Sequence, residues 1–202
     1  MKLYYSPGAC SMSPHIVAQE AGIPVELAKV NLAEHKTEDG RDYYSINPKG
    51  YVPALELDNG EILTEGVAII QYLADQKPEK NLVPAWSTFE RYRLQEWLTF
   101  ISSEIHKTFS PLWDKSLPEE VRKITIERLM KRLAYLDQHF VTHEFVFGNH
   151  FTVADAYCFT VVNWSNVLQL DLASLPNLQK YMASIVSRPT VQEVLKAEGL
   201  VK

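Results

Sequence analysis

The 202-residue chain predicts a small α/β unit followed by a larger all-helical unit. Three observations predict it. Strand-like runs occur only ahead of residue 65. A stretch carrying Pro78 and Pro84 separates the two parts. From Ser87 onward apolar residues recur at three- and four-residue spacing, the period of a helix with one buried face.

The elements follow in order. Leu3-Tyr4-Tyr5-Ser6 reads as a strand ended by Pro7-Gly8. Ser11 to Ala21 reads as a helix stopped at Gly22-Ile23-Pro24, and Val25 to Leu32 as a second strand. Ala33 to Ile46 is polar and irregular. Ala54-Leu55-Glu56-Leu57 and Glu61-Ile62-Leu63 flank Asp58-Asn59-Gly60, a hairpin signal. Gly66 to Gln76 is helical, with Val67, Ile70, Leu73 and Ala74 as its apolar stripe. The order is β-α-β, then β-β-α. This gives a first domain at 1–80, a linker over 77–86 and a helical domain at 87–202. Within the latter, Ser87 to about Lys115 forms one helix, and the next opens at Pro118. Others span Thr152 to Leu170, Leu175 to Ser187 and Thr190 to Glu198.

Composition excludes several classes. Hydrophobic residues make up 46% and charged residues 22% of the chain. That is the mixture of a folded globular protein with a real core. A formal charge of −5 without a basic run disfavours nucleic acid and anionic membrane as partners. No apolar run is long enough to span a bilayer, and Met1 to Pro7 lacks the apolar core of a signal peptide. Cys10 and Cys158 are too few and too far apart for a disulfide framework. A cytoplasmic location is the expectation.

Three features carry chemistry. Cys10 follows the first strand and a Pro-Gly-Ala turn and opens a helix. Amides at a helix start are unpaired and partly positive, so they stabilise a thiolate. A thiol pKa can fall there from about 8.5 toward roughly 3.5–7.5. Cys10-Ser11-Met12-Ser13 is also a dithiol redox motif with its second cysteine replaced, although a small buried apolar residue is an equal reading of Cys10. Val52-Pro53, just ahead of a strand in this element order, suggests the cis-proline of a thioredoxin-like fold. Such a bond turns the Val52 backbone outward to pair with a peptide-like ligand. Thr64-Glu65-Gly66 opens a helix, where Glu65 and the first amides together suit an α-amino acid head group. On sequence alone the favoured reading is a plain N-terminal cap, Thr64 with Glu65 complementing the helix dipole. Cys158, in Tyr157-Cys158-Phe159, belongs to the core.

These residues resemble the cytosolic glutathione S-transferases, most closely the bacterial beta class. The resemblance rests on Lys2 to Tyr5 with Pro7-Gly8-Ala9-Cys10-Ser11, on Asn47-Pro48-Lys49-Gly50 with Val52-Pro53-Ala54-Leu55, and on Leu63 to Ile69 with Gln71-Tyr72-Leu73. Glu96-Trp97-Leu98, Glu104-Ile105-His106-Lys107 and Phe151 to Tyr157 extend it over essentially the full chain. It implies a thioredoxin-like domain that holds glutathione, and a helical domain that lines the site for a hydrophobic electrophile. Catalysis falls to Cys10 and His106. Val52, Glu65 and Gly66 bind glutathione, His35 or Lys36 meets its glycyl carboxylate, and Thr99, Ser103, Glu104 and Lys107 complete the contacts. Lysine is frequent in that class where His35 stands, and asparagine where Thr99 stands. On helical spacing, Ser103, His106 and Lys107 share one face. His106 by itself reads as a surface or satisfied histidine. Pro53 and the Thr152–Asp155 capping box are structural.

The resemblance further implies glutathione as co-substrate without another cofactor, and a homodimer. Thiol–disulfide exchange or peroxide reduction through a mixed disulfide on Cys10 is a second activity. The alternative is a non-catalytic binding or scaffold protein of the same fold. His139 and His143 lack a third ligand, so no metal site is expected.

Overall fold

The structure is a computed structural model describing residues 1–201; residue 202 lies outside the described residues. The chain divides into two compact units. In the first, β1 (Lys2–Tyr5) runs parallel to β2 (Glu26–Asn31) and antiparallel to β4 (Ala54–Glu56). β5 (Ile62–Thr64) borders β4, and β3 (Lys36–Thr37) borders β2, giving the order β3-β2-β1-β4-β5. β1 sits centrally, and its Leu3 and Tyr4 are fully buried. α1 (Met12–Ala21) makes the crossover and stops at Gly22, whose positive φ of 68° returns its amide to the last turn. α2 (Gly66–Asp75) closes the expected βαβ-ββα order.

Two details of this unit differ from the sequence reading. β3 lies in the stretch read as irregular, because a strand so short shows no alternation. In the hairpin turn Gly60, at φ 85°, takes the positive φ that the Asn-Gly pattern had offered to both residues.

The second unit is helical. α3 (Phe89–Phe100) is capped by Thr88, whose hydroxyl accepts the Arg91 amide at 3.2 Å. It runs on into a π-helical turn, Ile101–His106, then α4 (Lys107–Phe109) and a 3₁₀ turn, Ser110–Trp113. The apolar spacing predicts one uniform helix there. Pro111, which has no amide to give, sits where the ladder tightens and ends. α5 spans Glu119–His139, and Pro118 stands just outside it as the cap residue. α6 (Val153–Val162) is buried along its whole length. It breaks at Asn163 before α7 (Trp164–Val167), where the sequence predicts a single helix to Leu170. α8 (Pro176–Val186) begins on Asp137, whose carboxylate accepts the amides of Asn177 and Leu178 at 2.8 Å each.

The last helix groups with the first compact unit. α9 (Pro189–Ala197) packs on α1, so the first unit comprises residues 1–83 and 188–201, and the helical unit ends at Ser187. Arg188 grips the Glu20 carboxylate with Nε at 2.8 Å and Nη2 at 3.0 Å. Beyond α9, the buried Glu198 carboxylate accepts the Gly8 amide at 2.9 Å and meets His15 Nδ1 at 2.9 Å. Neither partner is near it in sequence, so no local pattern announces the group.

The capping box of α6 is formed. Asp155 accepts the Thr152 amide at 2.9 Å and the Thr152 hydroxyl at 3.1 Å. It also accepts the Val146 amide at 2.8 Å and the Tyr181 hydroxyl at 3.2 Å. Burial nevertheless raises its carboxyl from 3.8 to about 6, against the pull of those donors. Cys158 is fully buried one turn along, and burial with the Asp155 charge pushes its thiol far up.

Two outcomes follow for stability. Glu198→Ala removes the acceptor that Gly8 and His15 share, and should cost about 3 kcal/mol in urea unfolding. Asp155 binds its proton more tightly folded than unfolded. Its contribution is therefore fully present below pH 3.8 and lost as pH rises through about 6. The stability advantage of the wild type over Asp155→Asn should be larger near pH 4 than near pH 7, by about 2 kcal/mol. A difference that grows toward neutral pH contradicts the assignment.

Candidate active site

In the first unit the turn after β1 carries Cys10. The turn is closed by Ser11, fully buried, whose hydroxyl accepts the Ser6 amide at 3.1 Å and donates to the Ser6 carbonyl at 3.2 Å. Ser11 is thus committed to the backbone and not presented outward as a partner for a sulfur. The first amides of α1 are also partly spent: Met12 donates to the Ala9 carbonyl at 2.9 Å and Ser13 to the Cys10 carbonyl at 3.2 Å. The Cys10 side chain itself is half-buried. Its Sγ donates to the Val52 carbonyl at 3.1 Å.

That carbonyl precedes the Val52–Pro53 bond, which is cis, as the element order predicts. The fold therefore brings together the thiol and the backbone edge that the sequence singles out separately. Tyr43 and Asn47 hold the approach to this edge, their Oη and Nδ2 donating to the Tyr51 carbonyl at 2.9 and 2.6 Å. Tyr4, beneath it, donates to Glu56 at 2.6 Å, and burial with that carboxylate pushes its phenol up to about 12. Tyr4 therefore stays protonated and ties β1 to β4.

Glu65 is the cap residue of α2 with φ 71°, rare for a non-glycine residue and typical of functional positions. Its side chain makes no cap bond. The carboxylate instead accepts Lys49 Nζ at 2.5 Å, and the same ammonium reaches Thr64 Oγ1 at 3.0 Å. Thr64 is therefore not the cap residue, and the Glu65 carboxylate at the helix start is engaged by an ammonium. Gly66 faces Pro53: a Cβ there would lie 3.7 Å from Pro53 Cγ. His35, at φ 50°, packs its ring on Tyr44 at 4.5 Å, with Nδ1 buried and without a hydrogen-bond partner. Lys36 is exposed in β3.

In the helical unit the π turn alters the expected arrangement. The Lys107 amide donates to the Ser102 carbonyl, five residues back, so the turn is wider than that of an α-helix. Residues three apart consequently fall out of line. Ser103 and Lys107 are exposed, while His106 is half-buried and directed at α6, so the three do not share one face. His106 Nδ1 meets the Tyr157 hydroxyl at 2.7 Å. Ser103 Oγ donates to the Thr99 carbonyl at 2.9 Å, and Glu104 accepts Arg132 Nε at 2.8 Å. Thr99 is exposed. His139 and His143 stack at 4.2 Å, each with a ring nitrogen on a backbone carbonyl. Three residues were missed as contributors: Lys49, Tyr157 and Glu198. The first two stand within the quoted motifs, but nothing in the sequence marks their partners.

Comparison with known proteins places this arrangement. A model of the glutathione S-transferase N-terminal domain matches residues 8–76, and one of the C-terminal domain matches residues 100–189. Glutathione S-transferase GstA of Escherichia coli O157:H7 is 44% identical over 99% of this chain and 100% of its own length. A sphingomonad glutathione S-transferase complexed with glutathione superposes with a TM-score of 0.96 at 45% identity, covering 100% of both chains. The bacterial beta class enzyme of Sphingomonas chungbukensis gives 0.97 at 45%, again over 100% of both. With likeness in sequence and in backbone running from end to end, the chain belongs to the glutathione S-transferase family.

Proposed function

We propose that the chain, a glutathione transferase by family, joins glutathione to small hydrophobic electrophiles and also holds glutathione as a mixed disulfide on Cys10. The observation that carries this reading is the Cys10 Sγ, 3.1 Å from the carbonyl that precedes the cis proline. A peptide that pairs with Val52 as an added strand residue brings its own cysteine toward that thiol. The γ-glutamyl end then falls to Glu65 and the first amides of α2, which serve an ammonium and a carboxylate respectively. Lys49 on Glu65 supports this assignment, since its ammonium has the chemistry of the group to be bound. His35 or Lys36 receives the glycyl carboxylate.

In conjugation the glutathione thiolate attacks an electrophilic carbon. A C–S bond forms, and the leaving group departs with its electron pair. In exchange the Cys10 thiolate attacks one sulfur of oxidised glutathione, the Cys10–S–S–glutathione bond forms, and the second glutathione leaves as thiolate. Within this reading His106 stabilises sulfur anion, and Thr99, Ser103, Glu104 and Lys107 are accessory contacts. The homodimer and the reducing cytoplasm belong to the same proposal.

Mass spectrometry after brief treatment with iodoacetamide should find Cys10 alkylated and the fully buried Cys158 intact. Oxidised glutathione should add one glutathionyl group at Cys10 and none in Cys10→Ala. Modification of Cys158 first, or failure of glutathione to bind, would remove the reading and favour a scaffold. His106→Ala should lower kcat for conjugation about tenfold or more with glutathione affinity changed little, as expected of a group acting on the reactive form. Unchanged kcat with weakened binding contradicts that role.

A further inference from the structure

In the first unit Asn47-Pro48-Lys49-Gly50 folds as a closely held turn. Asn47 is almost fully buried. Its Oδ1 accepts the Lys49 amide at 3.2 Å, its carbonyl accepts the Gly50 amide at 2.8 Å, and its Nδ2 donates to the Tyr51 carbonyl at 2.6 Å. Gly50, at φ 71°, passes so close to the Tyr44 ring that a Cβ would lie 2.7 Å from it. One buried side chain therefore fixes both the edge that leads to Val52 and the point from which the Lys49 side chain departs.

That side chain crosses to the start of α2. Lys49 Nζ donates to Glu65 Oε1 at 2.5 Å and to Thr64 Oγ1 at 3.0 Å. A primary ammonium thus already sits on the carboxylate assigned above to the γ-glutamyl ammonium. Two ammonium ions sharing one carboxylate repel each other, which weakens the second to arrive. The resident pair is open to exchange, because its side chains are 49% and 70% exposed and ion pairs so exposed hold weakly. We propose that Lys49 is an internal competitor for the ammonium seat on Glu65, occupying it in the free protein and giving way when glutathione binds. The inference rests on the function proposed above. Tethered by the Asn47 turn, the lysine acts at a high local concentration and lowers the affinity for glutathione by a constant factor. A ligand that lacks the amine leaves Lys49 seated and gains nothing from its removal.

Calorimetric titration of the full chain tests this with two probes, glutathione and glutarylcysteinylglycine, the same peptide without its amine. Lys49→Met keeps the bulk of the side chain and removes its charge. It should bind glutathione about two- to fivefold tighter than the wild type, the span that an exposed ion pair supports. It should not bind the deaminated peptide tighter. In the Glu65→Gln background the gain from Lys49→Met should vanish, since the two side chains then no longer interact. Unchanged or weaker glutathione binding by Lys49→Met, while Glu65→Gln lowers it, overturns the competitor and leaves the assignment of Glu65 standing. A gain that persists in the double variant, or extends to the deaminated peptide, also overturns it, because the effect then does not run through the ammonium seat. If Glu65→Gln binds glutathione as well as the wild type does, the assignment of Glu65 itself falls, and the competitor with it.

Discussion

The Glu198 carboxylate, buried beyond α9, is the constraint on which the turn carrying Cys10 depends. It accepts the Gly8 amide and meets the His15 ring, and so joins the turn after β1, the body of α1 and the end of the chain at one point. A buried carboxylate is tolerated only when its oxygens are occupied, and here each has a partner. The turn is thereby fixed at Gly8, ahead of Cys10, and at Ser11, just after it, where the hydroxyl closes back on Ser6. With its backbone held at both ends, the thiol has a defined place against the Val52 carbonyl. A freely hinged turn would leave it none.

The helical unit solves a related problem differently. Its chemistry-bearing residues stand where the backbone leaves α-helical bonding for one π turn, between α3 and α4. An extra residue in that turn rotates the side chains that follow it relative to those before. The rotation separates residues that uniform spacing would align. His106 is turned inward to Tyr157 and Trp164, while Ser103 and Lys107 stay at the surface.

Much of the fold was legible because its signals are local. Gly22 marks a helix end that requires positive φ, and Val67, Ile70, Leu73 and Ala74 mark a helix face. The Pro53 position and the helix-opening Cys10 together mark the thioredoxin-like order. The rest was illegible for definite reasons. A π turn has no signature distinct from an α-helix, since the same residues suit both and only the bonded partner changes. β3 is too short for its period to reveal it. Glu198 finds its partners 183 and 190 positions earlier, beyond any spacing rule. Ser11 follows Cys10 in sequence, yet adjacency says nothing of direction, and its hydroxyl points back into the turn. At Glu65 the sequence favours a plain cap, and the contact of its carboxylate with Lys49, sixteen positions away, has no local signal.

The first unit is discontinuous in sequence, and this sets an order of events during synthesis. The chain leaves the ribosome from its N-terminus, at roughly 5–20 residues per second. Residues 1–83 therefore wait through the making of the whole helical unit before 188–201 emerge. At that rate the delay is roughly 5–20 seconds. Throughout it the Glu20 carboxylate, the His15 ring and the Gly8 amide cannot form the bonds to Arg188 and Glu198 that they make in the finished molecule. The part of the chain made first is thus the part completed last.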